Sequence, residues 1–234
     1  EGSSNVIRAA INAGVKKMVV TSTAGVFGTS GDEAVNETST PKEYFIHYER
    51  SKAIMENMIK TIASAEKMNI TIVNPTRVYG PGILSESNGV TRMIKAYRNG
   101  RWRIIPGDGK AIGNYVFIDD VIKGHLLAMS KGKNGEKYIL GGENLSYNEF
   151  FQHLSEICGR KRFLVKLPVF PMMMFARIAG FLSALFNTTP MITTALVKRF
   201  VSNFVIDQQK AIEELNYLPS SFKEGAEKTI QWLS

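Results

Sequence analysis

The feature that most constrains the fold is an alternation of short apolar segments with longer amphipathic segments through residue 140. Residues 15–23 (VKKMVVTST) and 69–74 (NITIVN) are rich in Val and Ile, which is typical of buried strands. Between them, residues 44–68 carry apolar side chains at helical spacing. Strands separated by helices predict a parallel α/β sheet. Further helices are predicted at 6–13, 89–99 and from Asp119 or Asp120 to 130, and further strands at 115–118 and 136–140.

Helices dominate after residue 146, so the sequence predicts a smaller, mainly helical lobe at the carboxyl end. Two capping boxes mark helix starts, Ser146 with Glu149 and Ser221 with Glu224. Asp207 is placed to begin another helix in the same way.

Composition excludes several classes of protein. The chain has 234 residues and is 44% hydrophobic, which is enough to bury a core and rules out global disorder. Its single cysteine, Cys158, excludes a disulfide framework and a Cys-based zinc cluster, and we predict no metal site. The net charge of +8 could attract nucleic acid, but no Lys/Arg stripe or nucleic-acid motif is visible. We therefore expect a basic surface and no nucleic-acid partner.

One stretch, residues 167–186, is long and apolar enough to raise the question of a membrane. Pro168, Pro171, Gly180 and the charge of Arg177 argue against a spanning helix. The sequence favours core or lid helices here over membrane contact.

Peripheral membrane contact is the alternative for this stretch, because the basic residues 160–162 precede it. The single cysteine and the lack of a recognisable signal peptide favour a cytoplasmic location.

Gly25, Gly28 and Gly31 form a G-x-x-G-x-x-G pattern directly after a predicted strand. A phosphate-binding turn needs a helix N terminus immediately behind the glycines. Here Asp32 opens an acidic loop that runs to Pro41, and its carboxylates would repel phosphate. The pattern therefore predicts an ordinary loop.

Tyr48 and Lys52 are four residues apart on the predicted helix, so they share one face. An ammonium beside a phenol lowers the phenol pKa, which makes the tyrosine usable as an acid or base. A chain with eight tyrosines also gives such a pair by chance, as a solvated helix pair.

Position strengthens the catalytic interpretation. Thr21, Ser22 and Thr23 end a strand, where α/β sheets place ligands, and Thr23 precedes Tyr48 by 25 residues. A hydroxyl there could bond a substrate carbonyl or alcohol. The loop NPTRVYGPG at 74–82 follows the end of the next strand.

These motifs together resemble an extended short-chain dehydrogenase/reductase of the NAD-dependent epimerase/dehydratase type. The matching segments are TSTAGVFG at 21–28, Tyr48-x-x-x-Lys52, NPTRVYGPG at 74–82, NYVFIDDV at 114–121 and YILGGEN at 138–144. The carboxyl-terminal hundred residues resemble the dihydroflavonol-4-reductase and 3β-hydroxysteroid dehydrogenase branch.

The resemblance implies an α/β fold with a partial, amino-terminally truncated, doubly wound Rossmann-type parallel sheet. Residues 1–82 and 113–140 would form the partial dinucleotide-binding domain. Residues 83–112 and 141–234 would form the substrate lobe. About the first third of the family pattern is absent from this sequence, including the Gly-rich turn. We therefore expect an exposed edge and face of the sheet.

The resemblance also implies roles for individual residues. Tyr48 would be the general acid/base, Lys52 would hold the nicotinamide ribose, and Thr23 would be the catalytic hydroxyl, with Ser22 as the alternative. Ser22, Tyr48 and Lys52 would all contact the cofactor. Three residues of the loop, Pro75, Thr76 and Val78, would line its nicotinamide. The cofactor would be NAD or NADP. The choice between the two stays open, because the residue that selects between them is not in the sequence.

The expected activity is NAD(P)-dependent oxidoreduction of a secondary alcohol or ketone on a bulky, fairly apolar small molecule. Residues 172–174, Phe175 and Phe181 would set specificity, although Met and aromatic residues at such spacing also suit a core. A nucleotide-sugar epimerase or dehydratase is the alternative enzyme, and a degenerate binding-only fragment is the alternative of another class.

Family resemblance further implies a homodimer through the helix at 44–68 and the one before it. Ile54, Met58, Ile59 and Ile62 on that helix are more apolar residues than one sheet face needs. The alternative is that all four pack on the sheet.

Overall fold

A computed structural model describes residues 2–31, 33–65, 68–85, 87–186, 188, 190 and 192–234. The helices are α1 Gly2–Asn12, α2 His47–Ala65, α3 Gly89–Arg98, α4 Ile118–Lys131, α5 Tyr147–Ile157, α6 Val169–Leu185, α7 Thr194–Val201, α8 Gln209–Leu215 and α9 Phe222–Trp232. The strands are β1 Lys17–Thr21, β2 Asn69–Pro75, β3 Arg77–Tyr79, β4 Ile104–Pro106, β5 Ile112–Phe117, β6 Lys137–Leu140, β7 Glu143–Ser146 and β8 Val165–Leu167.

The central sheet has the order β1-β2-β6, and both of its pairings are parallel. Thr21 at the end of β1 lies opposite Val73, and Pro75 at the end of β2 lies opposite Leu140. All three strands therefore end at the same edge. The predicted α/β class and parallel sheet are confirmed.

Helices cover both faces of this sheet. Side chains along β2 alternate between the two faces, and apolar side chains point to each of them. Ile70 and Ile72 point to one face and pack with Ile59 of α2 and Ile7 of α1. Val73 points to the other face and belongs to a cluster that includes residues of α4 and α8. The result is a three-layer arrangement of helices, sheet and helices.

The remaining strands form two small sheets that the sequence did not predict as separate units. One has the order β3-β5-β7, with β5 parallel to β3 and antiparallel to β7. The other pairs β4 with β8 in parallel. An aromatic cluster beside the first of these sheets includes Phe150 of α5 and Phe222 of α9. This cluster is the core of the carboxyl-terminal lobe.

Several helix starts differ from the sequence prediction. The helix predicted at 6–13 begins at Gly2. The predicted helix at 44–68 begins at His47, which places Tyr48 in its first turn; residues 66 and 67 lie outside the described part. The helix expected to be capped by an aspartate begins one residue after Phe117, whose side chain cannot cap it. Asp120 instead accepts hydrogen bonds from the Ser220 backbone and hydroxyl, at 2.8 and 3.2 Å.

The apolar stretch at 167–186 forms α6, whose buried residues are Met172 and Ala176. Both belong to a cluster with Val197 of α7. Within the described residues, no helix combines the length and apolarity that crossing a membrane requires.

Candidate active site

The carboxyl edge of the central sheet brings together the two strand ends that the sequence singled out. The Ser22 N–H donates to the Val73 carbonyl at 2.8 Å, so the chain beyond β1 follows β2 for one more residue. The Asn74 side-chain amide then donates to the Thr23 carbonyl at 3.1 Å. The segments 21–23 and 74–76 therefore lie side by side.

Tyr48 and Lys52 lie on α2 beside this edge. The Lys52 ammonium donates to the Thr21 carbonyl at 2.9 Å, which ties the helix to the end of β1. The same ammonium lies 5.8 Å from the centre of the Tyr48 ring. A cation thus stands near the phenol, as the four-residue spacing predicts. The Tyr48 side chain is 52% exposed, so its hydroxyl is accessible.

Tyr48 is exposed, whereas several other tyrosines of the chain are buried. Burial raises the pKa of Tyr115 to about 12, and it also raises the pKa of Tyr79, Tyr138 and Tyr217 above the usual range. Such phenols resist ionisation and pack the core instead. The exposed Tyr48, with its neighbouring ammonium, is better suited to proton transfer.

The two candidate hydroxyls have different surroundings. The Thr23 hydroxyl accepts a hydrogen bond from the Gly25 N–H at 3.2 Å and caps the short 3₁₀ turn Ala24–Phe27. The Ser22 hydroxyl is buried and has no hydrogen-bond partner among the described residues. A buried hydroxyl without a partner is costly unless a ligand satisfies it. Both positions remain candidates for a contact with substrate.

A buried polar network behind the site was missed in the sequence. Asn74 bonds Thr23 and also donates to the Glu56 carboxylate at 2.6 Å, while Lys137 pairs with that carboxylate at 2.7 Å. Glu56 lies four residues after Lys52, so it continues the face of α2 that faces the sheet edge. This four-residue spacing was the signal in the sequence that could have revealed Glu56. The network holds the Thr23 turn against α2.

A second missed contact joins the lobe to the catalytic helix. Glu49, the neighbour of Tyr48, is buried and pairs with Arg199 of α7 at 3.2 Å. Burial lowers the pKa of the Arg199 guanidinium, while the Glu49 carboxylate opposes that shift. Because 150 residues separate the partners, no local pattern could reveal the pair.

Pro75, Thr76 and Val78 lie where β2 ends and β3 begins. The Thr76 N–H donates to the Leu140 carbonyl at 3.3 Å, and its hydroxyl donates to Asn114 at 2.7 Å. Pro75 is buried at the strand end, and Val78 packs on the edge of the core. Thr76 is thus fixed between β6 and β5.

The glycine pattern after β1 is an ordinary loop, as predicted. Gly25 lies in the 3₁₀ turn, and Gly28 adopts a φ of 86° against Pro41. Asp32 lies outside the described residues. In the described part of the chain, the next α-helix after this turn begins at His47, so no α-helix starts directly behind the glycines.

Tyr48 lines neither of two open clefts formed by the described residues. A cleft of about 650 Å³ in the lobe is lined by residues that include Pro106, Lys166, Val169 and Val201. Phe175 and Phe181, which the sequence assigned to substrate specificity, are exposed, whereas Met172 is buried. The assignment of substrate specificity to these residues stays a prediction.

A parallel sheet with a tyrosine and a lysine on the helix beside its carboxyl edge is the arrangement that the sequence motifs predict. Residues 1–141 match the NAD dependent epimerase/dehydratase family, and the chain belongs to that family.

Similarity extends over nearly the whole chain. It is 30% identical to sterol demethylase protein B of Methylococcus capsulatus, covering 99% of this chain and 70% of the relative. It is 29% identical to a putative dihydroflavonol 4-reductase of Synechocystis, covering 99% and 68%. The crystal structure of UDP-glucose 4-epimerase from Thermotoga maritima with UDP-glucose superposes with a TM-score of 0.78 at 27% identity, covering 99% and 67%.

Proposed function

We propose that this chain carries the catalytic half of an NAD(P)-dependent dehydrogenase or reductase that acts on a secondary alcohol or ketone. The observation that carries the proposal is the placement of Tyr48 and Lys52. The lysine is bonded to the end of β1, and the exposed phenol lies near the ammonium. Two hydroxyl-bearing residues, Ser22 and Thr23, follow β1 directly.

The residues at this edge fit the nicotinamide-ribose half of the cofactor. The buried Ser22 hydroxyl lacks a partner among the described residues, and Lys52 has two N–H groups beyond the one that bonds Thr21. Both could bond ribose hydroxyls or the carboxamide. Pro75, Thr76 and Val78 would face the ring. The bound cofactor supplies the hydride acceptor or donor.

Tyr48 would move the proton of the substrate hydroxyl. In oxidation its phenolate takes that proton, and in reduction its phenol returns a proton to the carbonyl oxygen. Lys52 stabilises the phenolate by charge. The hydroxyl of Thr23, or of Ser22, would hold the substrate oxygen toward Tyr48. The Asn74 and Glu56 network would keep that hydroxyl in place.

A bulky, fairly apolar substrate is the class that we favour. The support is similarity to relatives named for sterol and dihydroflavonol chemistry. A nucleotide-sugar epimerase is the second candidate, because the superposition on UDP-glucose 4-epimerase covers 99% of this chain.

The proposal predicts a specific effect of removing the Tyr48 hydroxyl. The assay chain carries the amino-terminal segment of the Methylococcus relative in front of this sequence. NAD(P)H formation is followed with 3-hydroxysterols, which would be oxidised, and NAD(P)H consumption is followed with dihydroflavonols, whose ketone would be reduced. Tyr48→Phe should lower kcat by about 10²–10⁴, the usual contribution of a general acid/base. Cofactor affinity, measured by fluorescence titration, should change little.

Tyr44→Phe is the matched control, because Tyr44 precedes the start of α2 and lies outside the proposed machinery. It should leave turnover intact. Undiminished turnover of the Tyr48 variant would remove this residue from the mechanism. Interconversion of UDP-glucose and UDP-galactose without sterol or flavonoid oxidation would instead favour the epimerase.

A further inference from the structure

The charge of the chain is concentrated in one segment. Between Glu156 and Asp207 the sequence has seven Lys and Arg residues and no Asp or Glu. The net charge of the whole chain is +8, so this segment carries most of the excess. Five of these basic side chains are exposed: Arg160, Lys161, Lys166, Arg177 and Lys198.

The same segment also exposes many large apolar side chains. Six of them are at least 62% exposed: Phe163, Phe170, Phe175, Phe181, Leu185 and Phe186. A soluble surface rarely presents so many large apolar residues together unless it binds something.

The helical geometry gathers three of these side chains on one side of α6. Phe181 lies 11 residues, about three turns, after Phe170, and Leu185 lies four residues after Phe181, so the three share a face. Met172 and Ala176 lie on the opposite face, which packs on α7. A largely apolar helix that buries only one side within the protein is expected to contact a second apolar environment with its other side.

We propose that α6 and its basic flanks lie on the surface of an anionic lipid bilayer. The helix has 17 residues, so it is about 25 Å long, shorter than the roughly 30 Å of a bilayer core. It therefore suits an orientation in the plane of the interface, with the phenylalanines among the acyl chains. Arg160, Lys161 and Lys166 would meet the headgroups.

Arg177 is consistent with this orientation. It is exposed on the apolar face itself, four residues before Phe181, and its long side chain can extend from that depth to the headgroups. A second copy of this chain is a poorer occupant. A two-fold interface would place the same basic residues of both copies near each other, and like charges across an interface are unfavourable.

Vesicle flotation tests the proposal on the chain itself. The chain should float with phosphatidylglycerol-rich vesicles and much less with pure phosphatidylcholine vesicles. Added salt should weaken the binding partly, because only the electrostatic part is screened. The double variant Phe170→Ser/Phe181→Ser should lower the partition coefficient at least tenfold. Ile54→Ser/Leu218→Ser is the matched control, with two exposed apolar residues elsewhere, and should bind like the parent chain.

A charge variant keeps the test informative if the serine variant does not fold. Lys161→Gln/Lys166→Gln should weaken binding to anionic vesicles about fivefold per charge, from about 1 kcal/mol for each lysine. A tryptophan at position 181, introduced as Phe181→Trp, should be quenched by brominated lipids. Absence of flotation at low salt, or binding unchanged by both variants, would overturn the proposal. So would a fall in the light-scattering mass of the serine variant without lipid, because that would assign α6 to a second copy.

Discussion

A tyrosine and a lysine four residues apart gain chemical meaning from what the chain folds against them. Lys52 is bonded to the last residue of β1, and this contact places the pair at the edge where the sheet strands end. Burial removes several other tyrosines from consideration because it raises their pKa. The local spacing was readable in the sequence, whereas the exposure of each phenol was not.

The pair of Glu49 and Arg199 should stabilise the contact between the catalytic helix and the lobe. Arg199→Met leaves the buried Glu49 carboxylate without its cation, which should lower the free energy of unfolding by about 1–3 kcal/mol. The effect is below that of a fully buried pair because the Arg199 side chain is 31% exposed. Denaturant unfolding of the chain measures it.

Lys198→Met is the control for this experiment, because its side chain is exposed and neighbours Arg199 in sequence. It should change stability little. Equal stability of the Arg199 and Lys198 variants would show that the ion pair contributes nothing to the fold.

The residues of the site divide into those that the sequence could place and those that it could not. Tyr48, Lys52 and Thr23 lie within short patterns next to a strand or on one helix face, so local spacing was sufficient. Glu49 and Arg199 meet through tertiary folding, and no periodicity encodes such a contact.

At the scale of elements, capping boxes were a reliable local signal, whereas single aspartates were not. The helix predicted to begin at Asp207 begins at Gln209, with Gln208 as its N-cap. Both capping boxes form as predicted, with Ser146 and Ser221 each bonded to the glutamate three residues later. The helix after β5 was wrongly assigned an aspartate cap because its acidic residues stand in the first turn. The antiparallel strand β7 has four residues after two glycines, too few to show an alternation.

The capping box of α9 should be worth a measurable part of the stability of the lobe. Ser221→Ala removes the hydroxyl that accepts from the Glu224 N–H, which typically costs about 1 kcal/mol. Loss of this hydrogen bond should also weaken packing of the core, because Phe222, the first residue of α9, is fully buried in the aromatic cluster. Denaturant unfolding should show the lower stability, whereas Ser130→Ala, an exposed serine of α4, should show almost none. A Ser221 variant as stable as the parent would mean that α9 is held by packing alone.

At the scale of the whole molecule, the expected exposed edge of the sheet is present among the described residues, whereas the expected exposed face is not, because helices cover both faces. β1 pairs with β2 on one side, and no strand of the described residues pairs with its other side. Next to it, α4 exposes Ile122, Leu126 and Met129, which share a helix face. His125 of α4 contacts the Thr21 hydroxyl at 2.8 Å, so the two features form one surface.

Helix α2, which the sequence suggested for a homodimer, exposes fewer large apolar side chains than α4. On α2, Ile59 is buried and packs with Met58 and Ile62 against the sheet cluster, which leaves Ile54 exposed. The dimer through residues 44–68 therefore depends on a single large apolar side chain among the four that suggested it.

We predict that self-association of this chain runs through the surface formed by α4 and β1, because an apolar stripe beside an unpaired strand favours contact with another copy. Leu126→Lys places a charge in the middle of the stripe and should lower the concentration-dependent mass seen by light scattering. Ile54→Lys is the matched control on α2 and should leave that mass unchanged. Both sites are exposed, so the thermal unfolding of each variant should match the parent. The reverse pattern, with association lost in the Ile54 variant and kept in the Leu126 variant, would return the interface to α2.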